Sequence, residues 1–258
     1  MEVPNMARIT PSANAFFALS ALFALAVVPG ASGLDGAAGK EFDSFDTGKG
    51  ELRITFLGHA TLVLEFGGKL IYIDPVKQYG DFSKFPKADL VLVTHEHGDH
   101  LDAGSIAALK AASTRIVLNE SSRKKLGEGE ALEHWKMLES AGVSVKAVPA
   151  YNVTSGRTNY HPKDRRDNGY VITVGNLHIY VAGDTEVIPE MADLGHIDIA
   201  FLPMNLPYTM TPDQVATAAR TIKPAILYPY HFGNTDTSLL AKLLADEPGV
   251  QIRLRKLQ

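Results

Sequence analysis

The chain has 258 residues, 45% of them hydrophobic and 21% charged, enough apolar material for one large globular domain or two small ones without covalent staples. It has no cysteine, which excludes disulfides, thiolate metal sites and a cysteine nucleophile. The net charge is −4 and there is no basic run, so a nucleic-acid partner is not suggested.

The first predicted feature is a leader. Ala15 to Val28 is a mostly apolar run, preceded by Arg8 and followed by Pro29-Gly30-Ala31-Ser32-Gly33. Small residues at Ala31 and Gly33 fit cleavage after Gly33, so residues 1–33 read as a signal peptide. The run is short for a bilayer span, and a membrane-anchoring or buried helix is the alternative. This predicts a periplasmic or secreted protein that meets the membrane only for export. Residues 34–50 are rich in Gly, Asp and Ser, lack periodicity and read as a linker. Residues 51–258 then form the folded domain.

Strand-like runs follow at Leu52–Leu57, Thr61–Phe66, Lys69–Ile73 and Asp89–Thr94, with Gly67-Gly68 as a hairpin turn. Ala103–Ala112 has helical spacing with Asp102 as N-cap. Arg115–Leu118 is a short strand, Ser121–Ser140 a charged amphipathic helix around Gly127 and Gly129, and Val143–Val148 a strand. Gly169–Val174 and Leu177–Val181 form a hairpin, and Ile197–Leu202 and Ala225–Tyr228 are strands. Thr211-Pro212-Asp213 opens a helix through Ile222; Ser238–Ala245 is another helix and Val250–Leu254 a last strand. Strands alternating with helices predict a mixed α/β fold.

The densest chemistry is His95-Glu96-His97-Gly98-Asp99-His100, directly after the apolar run ending at Thr94. Imidazole and carboxylate are ligands that Zn²⁺ and its first-row neighbours accept. Side chains at i and i+2 of an extended backbone point the same way, so His95 and His97 can chelate one ion. Asp99 and His100, past the turn at Gly98, can reach a second. A polar loop that happens to collect histidines is the bland alternative.

His-x-His-x-Asp-His after an apolar strand resembles the signature of the metallo-β-lactamase superfamily. Phe56-Leu57-Gly58-His59-Ala60-Thr61, Ile73-Asp74-Pro75, Ala182-Gly183-Asp184-Thr185 and Pro229-Tyr230-His231-Phe232-Gly233 look like its other landmarks, in order. Together they most resemble the small, single-domain, lactonase-like metal-dependent hydrolases. The resemblance implies a four-layer αββα sandwich with a metal site at one edge of two sheets. It also implies a ligand set in which His95, His97 and His161 hold one metal, Asp99, His100 and His231 hold another, and Asp184 bridges them. His161 is matched by order and loop context alone, with a solvated loop histidine as its alternative. Asp74 is expected to orient a ligand imidazole rather than to ligate. Asp99 and His59 are the expected catalytic residues, His59 as a proton donor or substrate contact, with a hydrogen-bonded structural histidine as its alternative. Tyr208 and Asn205 read first as loop anchors and second as pocket lining. His134, on the amphipathic helix, His178 and His196 read as structural or solvated.

The function expected from the resemblance is an exported binuclear metal-dependent hydrolase. A metal-bridging hydroxide would attack an ester, lactone, amide or phosphodiester bond of a small-molecule substrate. The expected cofactors are two divalent ions, zinc first and manganese or iron as alternatives. The competing readings are an iron-dependent oxidoreductase of the same fold, a β-lactamase, and a binding protein that kept the fold. Di-iron relatives tend to carry a carboxylate where His97 stands, and dedicated antibiotic-degrading members usually lack the carboxylate of Asp184. Substrate and oligomeric state are not legible in the sequence.

Overall fold

Alternating apolar residues and glycine turns lay down three antiparallel strands: β2 (Glu51–Gly58), β3 (Thr61–Phe66) and β4 (Lys69–Ile73). A computed structural model provides the coordinates and describes residue 37 and residues 39–257; the leader expected at 1–33 lies outside the described residues. The stretch expected as a linker does not stay apart from the domain. Phe42–Asp46 is an edge strand, β1, paired antiparallel to β2 with Phe45 opposite Leu52. Phe45 is buried, and the gain from hiding its ring outweighs the low strand propensity of the Asp and Ser beside it.

The first sheet continues in parallel from β4 through β5 (Leu90–Leu92) and β6 (Arg115–Leu118) to β7 (Glu130–Ala131). The second sheet mirrors it. β8 (Met137–Ser140), β9 (Val143–Ala150), β10 (Asp167–Val174) and β11 (Leu177–Val181) are antiparallel. From β11 the pairing is parallel, through β12 (Ile199–Pro203) and β13 (Ile226–Tyr230) to β14 (Gln251–Ile252). Each sheet has 7 strands.

The sheets face one another across a core that joins Ile54, Leu62 and Ile71 of the first to Val145, Ile172 and Ile179 of the second. A separate cluster on the first sheet's outer face packs Val63, Tyr72 and Val91 against Ile106 and Leu109 of α1 (Ala103–Leu109). The second sheet is covered by α3 (Pro212–Ile222), whose buried Val215, Ala218, Ala219 and Ile222 fall on one helical face. Thr211 caps α3: its Oγ1 accepts from Gln214 N at 3.1 Å, and Gln214 Oε1 accepts from Thr211 N at 2.9 Å. β12 and β13 are buried along their whole length, as strands covered on both faces must be. The architecture is the αββα sandwich.

The helix expected over 121–140 is not formed. α2 (Glu120–Leu126) stops at Gly127, which takes φ 83° and donates its N–H to Arg123 O. The chain then enters β7 and β8, so His134 sits between two strands, with Nε2 at 2.9 Å from Asp167 O. The final helix, α4, is shorter than expected and spans Leu239–Leu243. Among the described residues no helix is long and apolar enough to cross a membrane.

Candidate metal centre

The ends of β2, β4, β5, β11 and β13 open at one edge of the sandwich, and each delivers polar side chains to it. β5 leads into Thr94 and the run His95 to His100; β11 leads through Ala182-Gly183 to Asp184; β13 leads directly to His231. The loop between β9 and β10 brings His161. Gly183 must be glycine, because at φ 66° a Cβ would lie 2.7 Å from Asn168 O. Three non-glycine residues at this edge are also left-handed: His59 (φ 53°), Asp74 (φ 44°) and His231 (φ 46°). Strained backbone of this kind persists where surrounding structure fixes it, and it concentrates at functional sites. Here the bonds are backbone ones: His59 donates its N–H to Leu257 O at 2.9 Å, and His231 to His59 O at 3.0 Å.

The structure brings all seven expected ligands together. His95 Nε2 and His161 Nε2 lie 3.0 and 3.2 Å from His97 Nδ1. Asp184 Oδ2 is 3.3 Å from His161 Nε2 and 3.2 Å from His231 Nε2, and its Oδ1 is 3.5 Å from His100 Nε2. Asp99 Oδ2 is 3.5 Å from His231 Nε2, 3.8 Å from His100 Nε2 and 3.2 Å from His59 Nε2. Three sets can each close on an ion, with ligand atoms within 4.8 Å: His95, His97 and His161; His95, His100 and Asp184; and His59, Asp99, His100 and His231. His95, His100, His161, Asp184 and His231 are buried.

A cation is what these atoms fit. His100 Nε2, His231 Nε2 and Asp184 Oδ1 are buried without a hydrogen-bond partner. Buried polar atoms left this way are costly, and lone pairs converging from several strands would otherwise repel. Nitrogen and carboxylate donors without thiolates suit zinc and its neighbours.

Asp74 lies one step behind the expected ligands. It is fully buried, and its Oδ1 accepts from Thr94 N at 2.7 Å. Its Oδ2 accepts from Thr94 Oγ1 and His100 Nδ1, both at 2.7 Å. The bond to Nδ1 turns Nε2 of His100 toward Asp184 and Asp99. Tyr208 O does the same for His161, at 3.2 Å from its Nδ1.

The electrostatics separate the histidines. Burial alone would push His100 down, but the carboxylates of Asp184 and Asp74 overcome it and hold His100 well above the usual histidine value in the metal-free protein. His95 is held well below that value by burial and by the neighbouring His100. His97 is lowered to about 4, by burial first and then by the charge of Arg165, whose Nη1 lies 3.0 Å from His97 Nε2. His59 is lowered by burial, against the bond it makes to the Asp99 carboxylate. Asp99 and Asp184 would be raised by burial, but surrounding imidazoles hold both well below the usual carboxylate range.

Four residues at this edge carry no sequence signal of the kind used above. Thr94 links Asp74 to the loop of ligands. Arg165 sets the charge beside His97 and is held by Asp167, with Nε at 2.8 Å from Oδ1. Glu186, buried, accepts from Val153 N at 2.8 Å and Thr154 N at 2.6 Å and pairs with Arg157. Arg157 Nη1 in turn donates to Thr209 O at 3.1 Å, tying the His161 loop to the Tyr208 loop. Only contacts far apart in sequence define these roles. The remaining histidines stay outside the centre: His196 is largely exposed beside Asp198, and His178 also faces Asp198.

A cavity of about 210 Å³ opens onto the centre. Asn205 and Tyr208 line it, so they do more than anchor a loop.

A family model described as the Beta-lactamase superfamily domain matches residues 53–231. The chain is 32% identical to a metal-dependent hydrolase of Pyrococcus horikoshii over 220 residues, covering 78% of this chain and 96% of that protein. The crystal structure of a protein from Parabacteroides distasonis, named as a metal-dependent hydrolase, is 51% identical; it covers 85% of this chain and 100% of its own, with a TM-score of 0.82. A metallo hydrolase from the archaeon Ignicoccus hospitalis, 20% identical, shares the fold over 80% of this chain and 95% of its own, with a TM-score of 0.65.

Proposed function

The chain belongs to the β-lactamase superfamily and is a metal-dependent hydrolase, and on that premise we propose that it is an exported binuclear enzyme acting on ester, lactone, amide or phosphodiester bonds. His95, His97 and His161 would hold one cation and Asp99, His100 and His231 the other, with Asp184 placed to serve both. The observation that carries this reading is Asp184. Its Oδ2 lies 3.3 Å from His161 of the first set and 3.2 Å from His231 of the second, and its Oδ1 lies 3.5 Å from His100, so the carboxylate adjoins ligands of both sets. When bound, two such cations bring a shared water toward neutral pKa, polarise the scissile oxygen and stabilise charge as it develops there. Zinc is the first choice of metal, with manganese or iron as alternatives.

The chain's own residues supply the rest. Asp74 and Tyr208 O hold His100 and His161 in the tautomers that leave Nε2 free for the centre. His59 Nε2, 3.2 Å from Asp99 Oδ2, is placed to pass a proton to the leaving group. Its ring is fixed between His231, with centroids 3.7 Å apart, and Tyr79, stacked at 5.5 Å. No serine or cysteine nucleophile is required. The substrate is a small molecule, and export to the periplasm or beyond rests on the leader read at 1–33.

The test is metal analysis of the purified protein followed by turnover of a lactone panel, nitrocefin and bis-p-nitrophenyl phosphate. Two equivalents of zinc with lactone or ester turnover support the assignment. Efficient turnover of nitrocefin alone makes it a β-lactamase, and two irons with a visible absorption band make it an oxidoreductase.

A further inference from the structure

Five of the residues lining the 210 Å³ cavity are the proposed ligands His97, Asp99, His161, Asp184 and His231. The remaining wall is Tyr160, Asn205 and Tyr208. The part of a substrate that stays in the cavity beside the centre would lie against these three side chains.

The two rings meet edge to face, with centroids 4.9 Å apart and planes at 76°, an arrangement aromatic pairs favour. Tyr208 is 43% exposed, and Leu206 on the same loop is 46% exposed, so this loop presents apolar surface rather than charge. The backbone beneath the ring is fixed. Tyr208 O accepts from Asn152 Nδ2 at 2.7 Å as well as from His161, and Tyr208 N donates to Asn205 O at 2.9 Å. An aromatic wall thus hangs from a loop whose backbone is hydrogen-bonded to His161.

No lysine or arginine lines the cavity. Arg165 reaches His97 only at Nε2, whereas Nδ1 faces the other ligands, and the same guanidinium is bound by Asp167. Away from the metal ligands, a second anionic group held against the phenol rings would be desolvated with no lysine or arginine to meet it. The volume is also below the roughly 300–1,000 Å³ that drug-sized ligands occupy.

We infer that the non-reacting half of the substrate is a neutral, flat, aromatic group of fragment size, and that Tyr208 and Tyr160 select it. The inference rests on the hydrolase reading above and narrows it. A charged group carried at that position is rejected.

The test compares phenyl acetate with its para-carboxylate, 4-acetoxybenzoate, on the zinc-loaded protein. Calorimetry measures binding of the neutral, non-hydrolysed ketone 1-indanone and, as a control for the metal centre, of inorganic phosphate. Phenyl acetate is expected to have a kcat/KM about tenfold or more above that of the carboxylate. Tyr208→Ala is expected to weaken 1-indanone about tenfold and raise KM for phenyl acetate similarly, with kcat, phosphate binding and zinc content near wild type. Tyr160→Leu, which keeps apolar bulk, should weaken 1-indanone less. Equal efficiency toward the two esters, or unchanged 1-indanone affinity in Tyr208→Ala, overturns the inference. If neither ester is turned over but 1-indanone shows the expected loss, the reaction assignment falls and the aromatic site stands.

Discussion

Asp74→Asn removes one negative charge and one acceptor while keeping the shape of a fully buried side chain. The carboxylate now takes three bonds at 2.7 Å, from Thr94 N, Thr94 Oγ1 and His100 Nδ1. An amide offers one oxygen. If that oxygen faces Thr94 N, its NH₂ opposes the Nδ1–H of His100; if it faces His100, the NH₂ opposes Thr94 N–H. Either way one charge-assisted bond is lost, at about 1.5–3 kcal/mol. His100 also loses the group that fixes its tautomer, and Nε2 becomes a weaker ligand. At 1.4 kcal/mol per decade the loss is about 10- to 100-fold in metal affinity, the range that changes behind metal ligands typically produce. It should fall on the cation held by Asp99, His100 and His231 and largely spare the one held by His95, His97 and His161. Competition with a chromophoric chelator, with circular dichroism as the check on folding, reads this directly. Two equivalents retained with affinity within about twofold of wild type would refute the role given to Asp74.

His59→Asn should keep its metal content and lose about 100-fold in kcat, the lower end of what a positioned proton donor contributes; loss of a metal equivalent would make His59 a ligand instead. Metal binding near pH 7 should expel about one proton from His100, seen as a dependence of calorimetric enthalpy on buffer ionisation, with apparent affinity rising with pH. The sign follows from the raised value of His100: its proton stabilises the metal-free fold fully below the ordinary histidine pKa, and that contribution fades as pH climbs through the raised one. Glu186→Ala should destabilise the protein by about 3 kcal/mol, or roughly 6–12 °C in Tm, because it strips two backbone donors of their acceptor and removes the carboxylate paired with Arg157. Glu186→Gln, which keeps an acceptor for Val153 and Thr154, should lose less, and equal losses in the two would mean the ion pair dominates.

Much of the centre is legible because the expected ligands other than His161 follow a strand that is mostly apolar. Local spacing names His95, His97, Asp99 and His100, whereas Asp184 and His231 come from the likeness of Ala182-Gly183-Asp184-Thr185 and Pro229-Tyr230-His231-Phe232-Gly233 to landmarks of the superfamily. His161 was reached by order and loop context alone, since a loop between β9 and β10 has no periodicity to aim it. The helix expected over 121–140 fails at Gly127, whose left-handed backbone ends α2 and releases the chain to pair with β6 and β9. Strand partners from elsewhere in the chain decide that stretch, and they decide Phe42–Asp46 in the same way. Arg165, Thr94 and Glu186 were hidden for a related reason: their partners lie far away in sequence, and no local pattern marks them.

The central claim is a pair of cations sharing Asp184, and anomalous diffraction from metal-loaded crystals tests it most directly. The account predicts two peaks about 3.5–4 Å apart, one against His95, His97 and His161 and one against Asp99, His100 and His231, with Asp184 touching both. A single peak, or two peaks of which neither touches Asp184, would contradict it.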